Sequence, residues 1–131
     1  MICADTSSVV ALLKGEQGRD VEVVRNALIE GTLVLAPACV AELLSDPGIA
    51  PPIEESILDI PQLEVTSGYW ERVGRLRARL MRHRFRPKLA DSLIAQSCLD
   101  HHVLLVTRDR DFSPFQELGG LRLVAHEVKE G

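Results

Sequence analysis

Met1-Ile2-Cys3-Ala4-Asp5-Thr6-Ser7-Ser8-Val9-Val10-Ala11-Leu12-Leu13 opens the chain, and this stretch decides the fold. Met1–Ala4 is a short apolar run that stops at an acid, the pattern of a buried strand. Asp5, Thr6 and Ser7 are side chains that cap helices. Val9, Val10, Leu12 and Leu13 then follow at helical spacing. The same order recurs further along. Thr32–Ala36 is apolar and β-branched, Pro37 suits the first turn of a helix, and Val40, Leu43 and Leu44 continue it. Val103–Val106 is again an apolar run, ending at Thr107-Arg108-Asp109. Strands alternating with helices predict an α/β fold around a mostly parallel sheet.

The remaining segments fill in that frame. Val21, Val24 and Leu28 predict a second helix closed by Gly31, and Pro51-Pro52 opens a short one. Leu63–Val65 and Leu121–Val124 bring the expected strand count to about five. Thr66 or Ser67 is expected to cap a helix running to about His83, with Val73, Leu76 and Leu80 as its apolar stripe. Another helix opens near Asp91, and Phe112–Phe115 reads as a link. The Pro-rich stretch Ile49–Gln62 matches no motif. The 131 residues suit a single domain spanning 1–131, with a polar tail from about residue 126 expected to fray. Hydrophobic residues make up 46% and aromatic residues 4%, so the core is expected to be aliphatic.

Cys3, Cys39 and Cys98 lie among small or apolar neighbours with no C-x-x-C pair, and read as buried free thiols of a reducing compartment. No basic leader precedes an apolar stretch, and no apolar run approaches the ~20 residues of a membrane span. The expected location is therefore cytoplasmic. The net charge of −4 hides an asymmetry. Arg72, Arg75, Arg77, Arg79, Arg82, Arg84, Arg86 and Lys88 fall within one short segment, so the rest of the chain is acidic.

In an open parallel sheet, ligands bind beyond the carboxyl ends of the strands. Asp5 and Asp109 directly follow strands. Glu42 lies in the helix after the second strand, and Asp91 begins a helix returning to the same edge. Four carboxylates gathered there repel one another, and a hard divalent cation, Mg²⁺ or Mn²⁺, offsets that repulsion. Such a cation also stabilises charge on a phosphodiester transition state. Each acid has a plainer reading too: Asp5 and Asp91 as helix caps, Glu42 as a solvated residue, Asp109 and Asp111 as turn residues. No Ser-His-Asp order, Cys-His pair or G-x-x-x-x-G-K-[ST] loop competes.

Taken together, four segments resemble the PIN-domain family: Ile2-Cys3-Ala4-Asp5-Thr6-Ser7, Val40-Ala41-Glu42-Leu43-Leu44, Ala90-Asp91-Ser92-Leu93-Ile94-Ala95 and Leu104-Leu105-Val106-Thr107-Arg108-Asp109-Arg110-Asp111-Phe112. The short form resembles the VapC-type toxins of toxin–antitoxin pairs. That resemblance implies helices on both faces of the sheet, a homodimer, and endonucleolytic cleavage of RNA dependent on one or two Mg²⁺ or Mn²⁺ ions. It also implies a small antitoxin partner. Asp5, Glu42, Asp91 and Asp109 become the acidic catalytic and metal-holding quartet, Thr107 and Ser7 the hydroxyls that orient it, and Asp111 a peripheral acid.

The basic run bears on substrate rather than on membership. Arg72, Arg75, Arg79 and Arg82 share a helix face suited to RNA phosphates, although a solvated face or a surface toward the antitoxin or dimer mate fits the same pattern. Arg108 and Arg110 flank Asp109 and are expected near a scissile phosphate. His83 and Phe85 are candidates for stacking on bases. The alternative to an enzyme is a catalytically inactive PIN-like module that binds RNA or protein. A receiver domain or an aspartyl-phosphate phosphatase is disfavoured, because Asp5 is followed by Thr6-Ser7 rather than by a second early acid.

Overall fold

A computed structural model describes residues 1–124; the expected frayed tail lies outside the described residues. The elements are β1 (Ile2–Ala4), α1 (Thr6–Leu13), α2 (Arg19–Glu30), β2 (Leu33–Val34), α3 (Pro37–Leu44), α4 (Pro51–Leu58), α5 (Tyr69–Arg82), α6 (Leu89–His101), β3 (Leu104–Val106), a 3₁₀ turn (Arg110–Phe112) and α7 (Ser113–Gly119). β1 lies in the middle of a parallel sheet ordered β2-β1-β3. Ile2 pairs with Leu33 on one side and with Leu104 on the other. All three strands therefore run out at one edge, where Asp5, Ala36 and Thr107 emerge.

The sheet has three strands among the described residues, where about five were expected. The two outer segments do run parallel to it, but each makes one bridge: Gln62 to Leu35 and Leu123 to Leu105. A ladder needs consecutive pairs, and neither segment supplies them. After Leu63 donates to the Leu35 carbonyl, the carbonyl of Glu64 turns to the His101 ring at 2.7 Å, and Val65 is left exposed. Apolar residues there record burial of one contact, not a strand.

Helix boundaries follow local chemistry. Asp5 caps α1, accepting from the Ser7 amide, and Pro37 and Pro51 stand at the starts of α3 and α4. Gly31 closes α2 in the left-handed conformation. α5 departs from expectation at its N-cap, which is Gly68, with no side-chain cap bond. Thr66 and Ser67 instead supply acceptors to the Arg72 guanidinium. The expected Phe112–Phe115 link is a 3₁₀ turn running straight into α7.

The core gathers Cys3, Ala4, Leu35, Ala36, Cys39, Ile94, Ala95 and Leu105, all fully buried. Val73, Leu76 and Leu80 face inward from α5 as their spacing predicts. The largest buried side chains are nevertheless Phe112 and Phe115, with ring centroids 5.8 Å apart. Scarce aromatics are thus concentrated under the site edge. No helix among the described residues is long and apolar enough to cross a membrane.

Candidate metal centre

Asp5 is 4% exposed and is held from three directions. Its Oδ2 accepts from the Ser7 hydroxyl at 2.7 Å, the Ser7 amide at 3.3 Å and the Thr107 hydroxyl at 2.9 Å. All of these bonds fall on Oδ2, which leaves Oδ1 for another ligand. The Thr107 hydroxyl also accepts from the Asp109 amide at 3.0 Å, and Asp109 Oδ1 accepts from the Asp111 amide at 2.9 Å. One chain of hydrogen bonds therefore runs from β1 across to the turn after β3.

The acids meet as two groups. Oxygens of Asp5 and Glu42 lie within 4.8 Å of each other and of Cys39 Sγ, and oxygens of Asp91, Asp109 and Asp111 lie within 4.8 Å of one another. Glu42 is steadied by the Thr6 hydroxyl, which donates to Oε1 at 2.6 Å; the sequence reading passed over Thr6. Its position next to Asp5 in the cap was the available signal. Asp111, expected at the periphery, stands inside the second group. Asp91 joins the halves. Burial, then the charges of Asp5 and Asp109, push its carboxyl up to about 6, while Lys88 pulls it down.

Burial and then the neighbouring acids disfavour the charge on that carboxyl, and Lys88 offsets them only in part. The donors are carboxylate oxygens on a rigid frame, the set a hard divalent cation takes. Cys39 is different. Burial pushes its thiol well above the ordinary range, and Sγ donates to the Ala4 carbonyl at 3.4 Å. A protonated soft donor does not hold such an ion, so the fitting set is Asp5, Glu42, Asp91, Asp109 and Asp111. Cys3 and Cys98 are buried and free as expected.

The predicted RNA-contacting arginines divide. Arg108 points into the protein rather than toward a phosphate. Its Nε and Nη2 donate to the two Asp20 oxygens at 2.8 and 3.0 Å, Nη1 to Glu16 at 2.8 Å, and Nη2 to the Gln17 carbonyl at 3.2 Å. Burial opposes the charge on Asp20, but the Arg108 and Ser8 bonds hold its carboxyl below the ordinary range. Gly18 fits this clamp because a Cβ there would meet Asp20 Oδ1 at 2.7 Å and Arg108 Nη2 at 3.1 Å. Arg72 is likewise taken, forming a two-pronged pair with Asp100 at 2.9 and 2.7 Å. Both arginines are engaged by a carboxylate at least partly withdrawn from solvent, buried Asp20 and half-buried Asp100. Arg75, Arg79, Arg82 and Arg110 are exposed and enter no ion pair among the described residues.

Comparison with known families bears on the fold. The model of the PIN domain matches residues 2–118. No curated protein matches. Solved structures with the same fold include VapBC2 from Rickettsia felis bound to a DNA fragment from its promoter, with a TM-score of 0.70 and 21% identity over 95% of this chain and 98% of that one. FitAcB from Neisseria gonorrhoeae gives a TM-score of 0.69 and 19% identity over 95% and 97%. VapBC-5 from Mycobacterium tuberculosis, of the VapBC family of toxin–antitoxin systems, gives 0.66 and 21% over 93% and 95%.

Proposed function

The chain belongs to the PIN domain family, and from that premise we propose that it is a single-domain, metal-dependent endoribonuclease, the toxin of a toxin–antitoxin pair. The observation that carries this reading is the carboxylate cluster at the carboxyl edge of the sheet, where burial and then the charges of Asp5 and Asp109 push Asp91 up to about 6. The solved structures of like fold, VapBC2 and VapBC-5, the latter of a family of toxin–antitoxin systems, support a small antitoxin partner. A homodimer and a cytoplasmic setting belong to the same proposal.

Asp5, Glu42, Asp91 and Asp109, with Asp111 beside them, would hold one or two Mg²⁺ or Mn²⁺ ions. When bound, the cation supplies a Lewis acid for the charge that develops on the phosphodiester. The chain's own residues provide the positioning. Ser7 and Thr107 lock Asp5 so that one oxygen faces the site, and Thr6 does the same for Glu42. Arg108 fastens the turn after β3 to the first turn of α2 and to the loop before it, so Thr107 and Asp109 hold their register over Asp5. Orientation of this kind is typically worth 10- to 100-fold in metal affinity or activity.

The test is cleavage of a pool of structured and single-stranded RNAs with Mg²⁺ or Mn²⁺, with EDTA, and with Asp91→Asn alongside. Discrete products that need the metal and vanish in the variant are expected. Equal cleavage by the variant overturns the assignment. Failure of the wild-type protein both to cleave and to bind metal favours the inactive module.

A further inference from the structure

We propose that the cavity beside the acidic cluster is a subsite for one unpaired nucleotide of the RNA, with Phe85 as its stacking face and Arg86 and Arg110 as its phosphate contacts. This rests on the nuclease reading and deepens it, because it names the residues that seat the substrate beside the acids. The cavity measures about 310 Å³, at the small end of the ~300–1,000 Å³ usual for ligand pockets. Its floor is apolar, from Leu80 and Phe115, with Pro87 and Pro114 beside them. Asp91 and Asp111 form its wall toward the acids. A nucleotide seated there keeps its phosphate next to the carboxylates that hold the cation.

Three features mark the cavity as more than a gap between helices. Phe85 is a large aromatic kept 37% exposed in a chain that buries both of its other phenylalanines. Arg84, just before it, has φ +68°, a left-handed conformation that an arginine adopts at a cost. That turn ends α5 and swings Phe85 over the cavity, its amide still bonded to the Leu80 carbonyl at 3.1 Å. Arg86 and Arg110 are both exposed and form no ion pair among the described residues. Lys88 pairs with Asp111 at 3.5 Å, but both side chains are mostly exposed, so this bond is weak and exchanges readily for a phosphate.

An aromatic face stacks on any base, and it reaches only a base already out of a duplex. The subsite therefore selects single-stranded or looped RNA without choosing the base. Binding of a short fluorescent RNA, single-stranded and as its duplex, is measured by anisotropy in EDTA. Phe85→Ala is expected to weaken single-strand binding about tenfold, with Phe85→Trp restoring it and duplex affinity unchanged. The double change Arg86→Ala and Arg110→Ala should lower affinity and flatten its salt dependence by about two counterions. Undiminished single-strand binding by Phe85→Ala, no single-strand binding by the wild type, or equal wild-type affinity for the duplex overturns the subsite. Cleavage is scored in parallel. Phe85-dependent binding with no metal-dependent cleavage overturns the nuclease reading alone. Metal-dependent cleavage of single strands that Phe85→Ala leaves untouched overturns the subsite alone.

Discussion

The two halves of the acidic site are built on opposite principles. Asp5 is held by hydrogen bonds to its charged form: two hydroxyls and an amide on one oxygen, in a buried helix cap. Around Asp91, burial and then neighbouring acids disfavour the charge, and Lys88 opposes them. The first half is a finished piece of structure. In the second the charged form is disfavoured, which the proposed cation would relieve. A site that must bind metal reversibly gains from both, because rigid placement lowers the entropy lost on binding while unrelieved charge provides the attraction.

The sharpest break of this contrast is Asp91→Asn. Cleavage is expected to fall at least about 1,000-fold, the scale of losing a principal electrostatic group. The metal-free protein should become more stable at pH 7, by at most about 3 kcal/mol for a carboxyl raised from its ordinary value of 3.8 to about 6. Because the folded carboxyl keeps a proton that the unfolded chain has already released, wild-type stability without metal falls as pH rises from about 4 to about 6. Thermal melts with EDTA across that range should show the decline in the wild type, none of it in the variant, and its reversal by Mg²⁺. A variant with the same pH slope as the wild type breaks the comparison.

Arg108→Met tests the finished half from outside the metal set. Removing the cation strands Asp20, 5% exposed, and should cost about 3 kcal/mol in urea unfolding. Arg110→Ala, two residues on, should stay within about 0.5 kcal/mol. The sign for pH is opposite to that of Asp91: Asp20 is held below its ordinary range, so its contribution is present at neutral pH and lost as pH falls through that lowered value.

A smaller effect is expected from Thr107→Val, which removes the hydroxyl shared by Asp5 and Asp109. Activity should drop about 10- to 100-fold with a stability loss of about 1 kcal/mol, so kinetics and urea titration read apart. Smallest is Gly18→Ala. The added Cβ meets the Asp20–Arg108 clamp at a φ of +149°, and a loss of about 1 kcal/mol with metal affinity unchanged is expected by melting and calorimetry.

Most of the site was legible in local chemistry. Acids at or just beyond the ends of apolar runs, such as Asp5 and Asp109, announce themselves as strand-end residues, and the hydroxyls near them as caps. Glu42 and Asp91 are legible because parallel strands return every helix start to one edge. Thr6 was missed because its acceptor lies 36 residues away. The ion pairs of Arg72 and Arg108 were not legible, because charge runs look alike whether they face solvent or an acid of the same chain. Asp100 and Asp20, their partners, lie 28 and 88 residues distant.

The sequence by itself determined the alternation of strand and helix, the placement of the carboxylates at one edge, and the family. Those follow from local burial patterns and capping, which each segment carries within a few residues. Only the tertiary structure decided that three strands form the described ladder, that Phe112–Phe115 coils into a helix, and which arginines are engaged. Each of these depends on a second segment arriving at hydrogen-bonding distance, and a chain records the need for a partner without recording which partner meets it.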